Sequence, residues 1–283
     1  MPARPILDAA GAPAMLPWLG ALLLAVPAAA MLEGLVLTGM RRAYDWRACA
    51  ASMVDMLVRR GVDALGLSLA APLLALAYAH RLQTIALATP LAFALLFVGA
   101  EFFYYWFHRA AHRVRWFWAT HAVHHSSNEL TLAAALRLGW TGKLSGTGVF
   151  FAPLIWLGFP PRAVFAALAL NLLYQFWLHA PWMPRLGPLE WVLNTPTHHK
   201  AHHASNPAYL DCNYGGALIV FDRLFGTFVD LRADEPLRYG LTTPLASHNP
   251  LRIALHEWLR LGADLRAAPG WRARLAVLLG PPA

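Results

Sequence analysis

The sequence predicts an all-α protein: an integral membrane helical bundle of three spans plus a helical hairpin, with a cytoplasmic His-rich helical cap. Three observations predict it. Apolar residues fill 58% of 283 positions and charged residues only 13%, far from the averages of soluble domains. The apolar residues gather into stretches long enough to cross about 30 Å of hydrocarbon. Ten of the 13 histidines lie between His108 and His203, at spacings of three and four that set them on shared helix faces.

Residues 1–13 form a Pro-, Ala- and Gly-rich tail. The first span runs from Met15 to about Leu37, with a possible kink at Pro27 and Glu33 near the interface. It lacks the strongly basic start of a cleaved signal peptide, so it is expected to be a retained anchor. Arg41, Arg42 and Arg47 follow at once, which puts that end inside. Residues 46–60 alternate enough to lie along the membrane surface. A second span, Val62 to about Ala79, ends at His80-Arg81, and a third, Thr84 to about Trp106, leads directly into His108. The first histidines thus emerge on the cytoplasmic side.

Residues 108–142 are polar and expected to be helical. The apolar region Thr147–His179 is broken at Gly158, and its arms of roughly 12–18 residues are short for full spans. A hairpin and two thin, tilted spans both fit, and either returns His179 to the depth of the other histidines. Residues 181–240 form the polar cap, with turns at Pro181, Pro184, Pro188 and Pro196. Leu251 to about Leu265, with Arg252, Arg260 and Arg266, has the pattern of an amphipathic interfacial helix. The expected division is 1–97 for the anchor helices, 98–232 for the histidine-bearing domain and 233–283 for the interfacial helix and tail.

The net charge is +8. Because the arginines flank apolar spans, an anionic membrane face accounts for it and no nucleic-acid partner is expected. Cys49 and Cys212 have no CxxC context, so no disulfide framework is indicated.

The chemistry lies in three clusters: His108 with His112; His121 with His124 and His125; and His198, His199, His202 and His203. One tetrahedral metal takes about four ligands, so eight or more imidazoles indicate two metals. Unstructured His-rich tracts also bind metal, but those are polar and repetitive, whereas these clusters keep helical spacing beside apolar segments. Imidazole suits iron, zinc, copper and nickel alike, so ligand type leaves the metal open. Glu101 lies seven residues before His108 on nearly the same face. A carboxylate at that depth needs a partner, which makes it a candidate to orient a ligand imidazole. Asp211 and Asn213, beside the third cluster, are candidates of the same kind. His80, His248 and His256 stand outside. A metal transporter is the competing class, but transporters place their ligands within the spans, and these spans nearly lack them.

HRAAH, HAVHH and HHKAHH, preceded by NTPTHH and followed by NYGG and FDRLFGTF, resemble the fatty acid hydroxylase/sterol desaturase superfamily of membrane non-haem di-iron oxygenases. The EFFYYWFHR approach, HHSS and ALR most resemble its alkylglycerol monooxygenase-like and bacterial sterol-desaturase-like branch. The resemblance covers roughly residues 98–231. It implies two irons, with O2 as co-substrate, held by His108, His112, His121, His124, His125, His199, His202 and His203. His198 could replace His199 in register or act behind it, and His179 is added by its expected depth.

The implied activity is hydroxylation of an unactivated C–H bond in a lipid. Desaturation or ether-lipid cleavage on the same centre is the alternative. No flavin or nicotinamide fingerprint occurs, so electrons are expected from an external ferredoxin, cytochrome or reductase. Glu129, displaced one place from the branch's usual acidic position by Asn128, has no assigned role. Arg137, in the shared ALR, can hold a head group, meet a donor's acidic surface or make a structural ion pair.

Overall fold

The computed structural model describes residues 16–232 and 235–282, with side chains from residue 24 onward. The tail expected over residues 1–13 lies outside the described residues. Two units divide the chain, Met1–Tyr44 and Asp45–Ala283. Among the described residues the elements are helical, and backbone pairing is confined to isolated bridges at Leu193–Leu218 and Ala204–Tyr239.

The first unit contributes α1 (Leu16–Gly39), which includes Pro27. In the second unit, α2 (Trp46–Ala64) starts at Asp45, whose carboxylate accepts from the amides of Arg47 and Ala48. The continuous helix expected over 62–79 is not formed. After α2 the chain turns through Gly66 at φ 67° and resumes as α3 (Ala71–Ala79), nine residues long. A left-handed residue ends a helix, and Pro72 suits the first turn of the next.

Helix α4 (Pro90–Arg113) carries both the expected third span and the first histidine cluster. It begins at Pro90 rather than Thr84, because a residue before proline disfavours helix; Thr89 instead caps it through the Ala92 amide at 3.2 Å. Among the described residues, α4 is the helix long and apolar enough to cross a membrane, with a mean hydropathy of 1.4. Leu91, Phe93, Leu95, Phe97 and Val98 are exposed on it, whereas Leu96, Ala100 and Tyr104 pack against Phe151, Leu154 and Ile155.

An extended Val114 breaks α4 from α5 (Arg115–His125). Residues 126–146 then form turns and a short 3-10 segment rather than the expected continuation of helix. The apolar hairpin is a 3-10 turn (Thr147–Phe151), α6 (Ala152–Leu157) and α7 (Pro161–Leu178). Its corner is Gly158 at φ 124°, where a Cβ would collide with the Gln83 carbonyl. The cap contains α8 (Pro196–His203) and α9 (Val220–Phe225), and α10 (Pro250–Ala267) and α11 (Gly270–Leu279) follow it. Helix α10 is the amphipathic helix expected: Ile253 packs with Ala51 and Val123, while Leu251 and Leu259 stay exposed. Arg115, at the start of α5, pairs with Asp264 of α10.

Candidate metal centre

Four helix segments bring their imidazoles to one place. His108 and His112 come from the last turns of α4, and His121, His124 and His125 from α5. His199, His202 and His203 come from α8, and His179 stands at the end of α7. Their ring nitrogens sort into two groups, His108, His112, His121, His125 and His202, and His124, His179, His199 and His203. Within each group the nitrogens lie within 4.8 Å of one another. The groups adjoin: the His125 and His203 rings stack with centroids 4.4 Å apart.

The tautomers follow from what surrounds the outer nitrogens. Nδ1 of His108 lies 2.8 Å from the Tyr214 carbonyl, and Nδ1 of His202 2.8 Å from that of Cys212. Nδ1 of His124 lies 3.0 Å from the Arg137 carbonyl, and Nδ1 of His179 2.9 Å from that of Gln175. A carbonyl can only accept, so each Nδ1 carries the proton and each Nε2 presents a lone pair. Yet Nε2 of His179 faces Nε2 of His124 at 3.3 Å. Neither can donate, and two lone pairs in contact repel. Nε2 of His202 is buried with no hydrogen-bond partner at all. Cations between these nitrogens resolve the conflict, since neutral imidazole is a metal ligand. The donor set therefore fits metal.

Burial also keeps the rings neutral. It pushes His121, His124, His125, His199 and His203 well below the ordinary histidine range, helped by the neighbouring imidazoles. His202 falls to about 4 for the same first reason. No proton has to leave for these groups to bind a cation near neutral pH.

The polar residues singled out near the clusters act through the backbone. Glu101, 1% exposed, does not meet His108. Its carboxylate accepts from Asn171 at 2.5 Å and from the amides of Ala217 and Leu218 at 2.8 and 2.9 Å. Seven residues of helix separate Glu101 from His108 by about 10 Å along the axis, and the 214–218 loop occupies that space. Glu101 holds one end of the loop while the Tyr214 carbonyl, at the other end, holds His108.

Asp222 shares the task by accepting from the amides of Tyr214 and Gly215, both at 2.7 Å. Burial raises its carboxyl to about 6. Gly215 and Gly216 are required because a Cβ there would strike the Leu218 carbonyl and Asn171.

Asp211 and Asn213 adopt left-handed backbone, φ 60° and 55°, which Asp and Asn tolerate best after glycine. The carbonyls of Cys212 and Tyr214, beside them, are the ones that reach His202 and His108. The Asn213 side chain ties the loop to the His198 carbonyl and to Val229. Asp211 pairs with Arg113 at 2.6 Å and lies 3.9 Å from Nδ1 of His112, beyond hydrogen-bond range. His198 is in neither group. Its ring meets Phe228 at 5.3 Å, and its Nδ1 is buried without a partner.

Several contributors escaped sequence reading. Asn171 and Gln175, one turn apart on apolar α7, join Glu101 and Tyr104 in a buried ladder. Polar residues inside an apolar helix are the signal that could have found them. Arg137 is buried at 2% exposure, so it meets neither a head group nor a donor. Its guanidinium bonds Ser52, Ser126 and the Ala48 carbonyl, while Asp55 accepts from the Leu138 and Gly139 amides. Helix α2 thereby holds the turn whose carbonyl orients His124. Glu129 accepts from the Asp45 amide at 3.3 Å, so it helps seat the start of α2. His248 pairs with Asp45, away from both groups.

A cavity of about 260 Å³ reaches the five-histidine group, lined by His112, His125 and His202, by His203 of the other group, and by Trp118, Thr242, Glu257 and Arg260.

Comparison with known proteins bears on what this chamber is for. The fatty acid hydroxylase family model matches residues 93–227. The chain is 40% identical over 203 residues to the alkylglycerol monooxygenase of Xenopus tropicalis and 39% to that of Homo sapiens, covering 72% of this chain and 45% of each relative. It is 31% identical over 159 residues to an ornithine lipid hydroxylase of Rhizobium tropici, 56% of this chain and 48% of that one. The chain thus spans about half the length of these curated relatives. No solved structure matches it.

Proposed function

We propose, from the match of the fatty acid hydroxylase family model over residues 93–227, that the chain is a membrane-bound lipid monooxygenase of that family. The observation that carries the proposal is the pair of adjoining imidazole groups, buried, proton-poor and reached by a cavity. Five histidines would hold one iron and four the other, and the irons would supply activation of O2 toward an unactivated C–H bond. Overall, one C–H bond and one O2 take two electrons and two protons and give an alcohol and water. The electrons come from a separate ferredoxin, cytochrome or reductase.

The chain's own part is orientation and exclusion. Carbonyls of Tyr214, Cys212, Arg137 and Gln175 set four tautomers. The 214–218 loop, held by Glu101 and Asp222, closes the chamber on the side of α4. The cavity at His112, His125 and His202 is the route by which a substrate carbon approaches.

The likeness to alkylglycerol monooxygenases favours an ether-linked lipid as the substrate; the likeness to the ornithine lipid hydroxylase favours hydroxylation of a polar lipid in general. The outward apolar side chains of α4 support a membrane-spanning placement. The finer topology proposed keeps both histidine-bearing segments on the cytoplasmic side but not the second expected span, because α3, nine residues long, is too short to cross hydrocarbon by itself. Cysteines at Ser127 and Ala208 should then label from that side only.

Lipid mass spectrometry of cells with and without the protein tests the activity. Gain of one oxygen atom supports hydroxylation, and loss of two hydrogens supports desaturation. An unchanged lipid profile, from protein that carries its metals and receives electrons, would defeat the proposal.

A further inference from the structure

The cap exposes an apolar patch, away from the imidazole chamber, that its own fold leaves uncovered. Leu189, Trp191 and Val192 are 56%, 67% and 52% exposed, and Leu224 on α9 is 71% exposed. They share one surface because the short 3-10 turn Gly187–Trp191 is stitched to α9. Arg223 donates to the Glu190 carbonyl at 3.1 Å. Its guanidinium also lies 4.5 Å from the centre of the Trp191 ring and 3.7 Å from that of Phe228. The Ile219 amide reaches the Val192 carbonyl at 3.0 Å. Water-facing surfaces of monomers rarely gather such side chains into one patch.

Its position says what covers it. Helix α9 lies against α4, with the rings of Phe221 and Phe225 5.6 and 6.3 Å from that of Phe102. One turn before Phe102 is Val98, the last of the exposed apolar residues of α4. The patch therefore begins where the apolar wall of α4 ends. Its composition changes at the same point, from Leu and Phe to Trp with an arginine stacked on it. Tryptophan and arginine are the residues that settle at the boundary between hydrocarbon and head groups.

We propose that residues 187–192 and the tip of α9 form a belt that rests in the head-group layer of the bilayer. This rests on the membrane-spanning reading of α4. The belt also has a mechanical consequence. Trp191 precedes the first residue of α8, Pro196, by five positions, and Leu193 is bridged to Leu218 in the loop that Glu101 holds. The height of the third histidine cluster above the lipid is thereby tied to the belt.

Site-directed fluorescence quenching tests it on the full chain in phosphatidylcholine–phosphatidylglycerol vesicles. Cys49 and Cys212 are each 2% exposed, so an introduced surface cysteine takes a bimane label selectively. Leu224→Cys and Leu189→Cys report on the belt, and Phe93→Cys on α4 serves as the lipid reference. An interfacial anchor sits only about 5–10 Å into the head-group and acyl boundary. The two belt labels should therefore be quenched several-fold more strongly by a head-group nitroxide lipid than by a mid-chain nitroxide or by aqueous iodide. Phe93→Cys should respond most to the mid-chain nitroxide.

Iodide-dominated quenching at Leu224→Cys and Leu189→Cys, with Phe93→Cys still lipid-quenched, overturns the belt and leaves the membrane reading standing. Protection of the belt labels from all three quenchers also overturns it, in favour of a protein contact such as a second copy. Iodide-dominated quenching at Phe93→Cys removes both.

Discussion

The two imidazole groups are built from the same residue type yet sit in different surroundings. In the five-histidine group, His112, His125 and His202 line a cavity and His121 is half-buried. In the four-histidine group all members are buried, and only His203 touches that cavity. Metal sites that keep an open position do chemistry, whereas closed sites mainly hold shape. Under the proposed function, the difference would give the five-histidine group the contact with substrate and the four-histidine group the task of holding its partner in place. The two also hang from different parts of the chain. Two outer nitrogens of the first group rest on carbonyls of the 212–214 segment. His124, in the second, depends on a turn pinned by α2.

The strongest way to break this comparison is to remove one ligand from each group. Purified from iron-replete cells, the wild type should carry about two metals per chain, since each group fills about one first coordination shell. His202→Ala and His179→Ala should each lower that by about one and reduce product formation to background. Metal analysis together with O2-dependent turnover decides it. If either variant kept both metals, the partition into five and four would be wrong.

A smaller effect separates the supports. Asp55→Asn and Arg137→Lys loosen the turn behind His124 and touch nothing in the five-histidine group. Metal titration should show roughly 10–100-fold weaker binding at one site, the usual cost of losing a group that orients a ligand, with the other unchanged. Equal weakening of both sites would mean that α2 supports the chamber as a whole.

Chelation sharpens the contrast in accessibility. A small hydrophilic chelator should strip the metals in two phases, the first, of one equivalent, coming from the group that lines the cavity. His112→Ala should abolish that fast phase, whereas His179→Ala should abolish the slow one. Single-phase loss from the wild type would remove the distinction between open and closed.

The mildest change is Glu101→Gln. It removes the charge and replaces one carboxylate oxygen by an NH2 group, so either Asn171 or both loop amides, which share Oε2, lose their acceptor; this should lower stability by about 1–3 kcal/mol. The ratio of metal at the two sites should stay the same, because the substitution acts on the loop and not on an imidazole. Thermal unfolding with parallel metal analysis checks this, and selective loss from the five-histidine group would show that the loop transmits directly to His108.

Much of this was legible in the sequence. Helical spacing within HRAAH, HAVHH and HHKAHH was enough to align eight imidazoles, and the depth argument for His179 put it beside them. The hairpin corner and the amphipathic α10 were legible for the same reason, since each is a local pattern. The break of the expected 62–79 helix was not, because Gly66 is compatible with either outcome and its left-handed φ is seen only in the folded chain. Glu101 was correctly expected to need a partner, but the partner was misjudged. Periodicity tells which face a side chain takes and not what a loop more than a hundred residues later inserts against it.

By itself, then, the sequence determined the all-helical character, the number of imidazoles and the chemistry they can support, because these follow from residue type and spacings of three and four. Only the tertiary structure decided which imidazoles gather into each group and that His198 turns away to Phe228 while its neighbour His199 joins one. It alone decided, too, that Asp211 and Asn213 shape a backbone rather than orient a ring. The physical reason is range. A helix face is set by hydrogen bonds four residues apart. The Gln175 carbonyl behind His179 is that local, four positions away, but those behind His202, His124 and His108 stand 10, 13 and 106 positions away, and only tertiary packing brings these to within 3 Å or so.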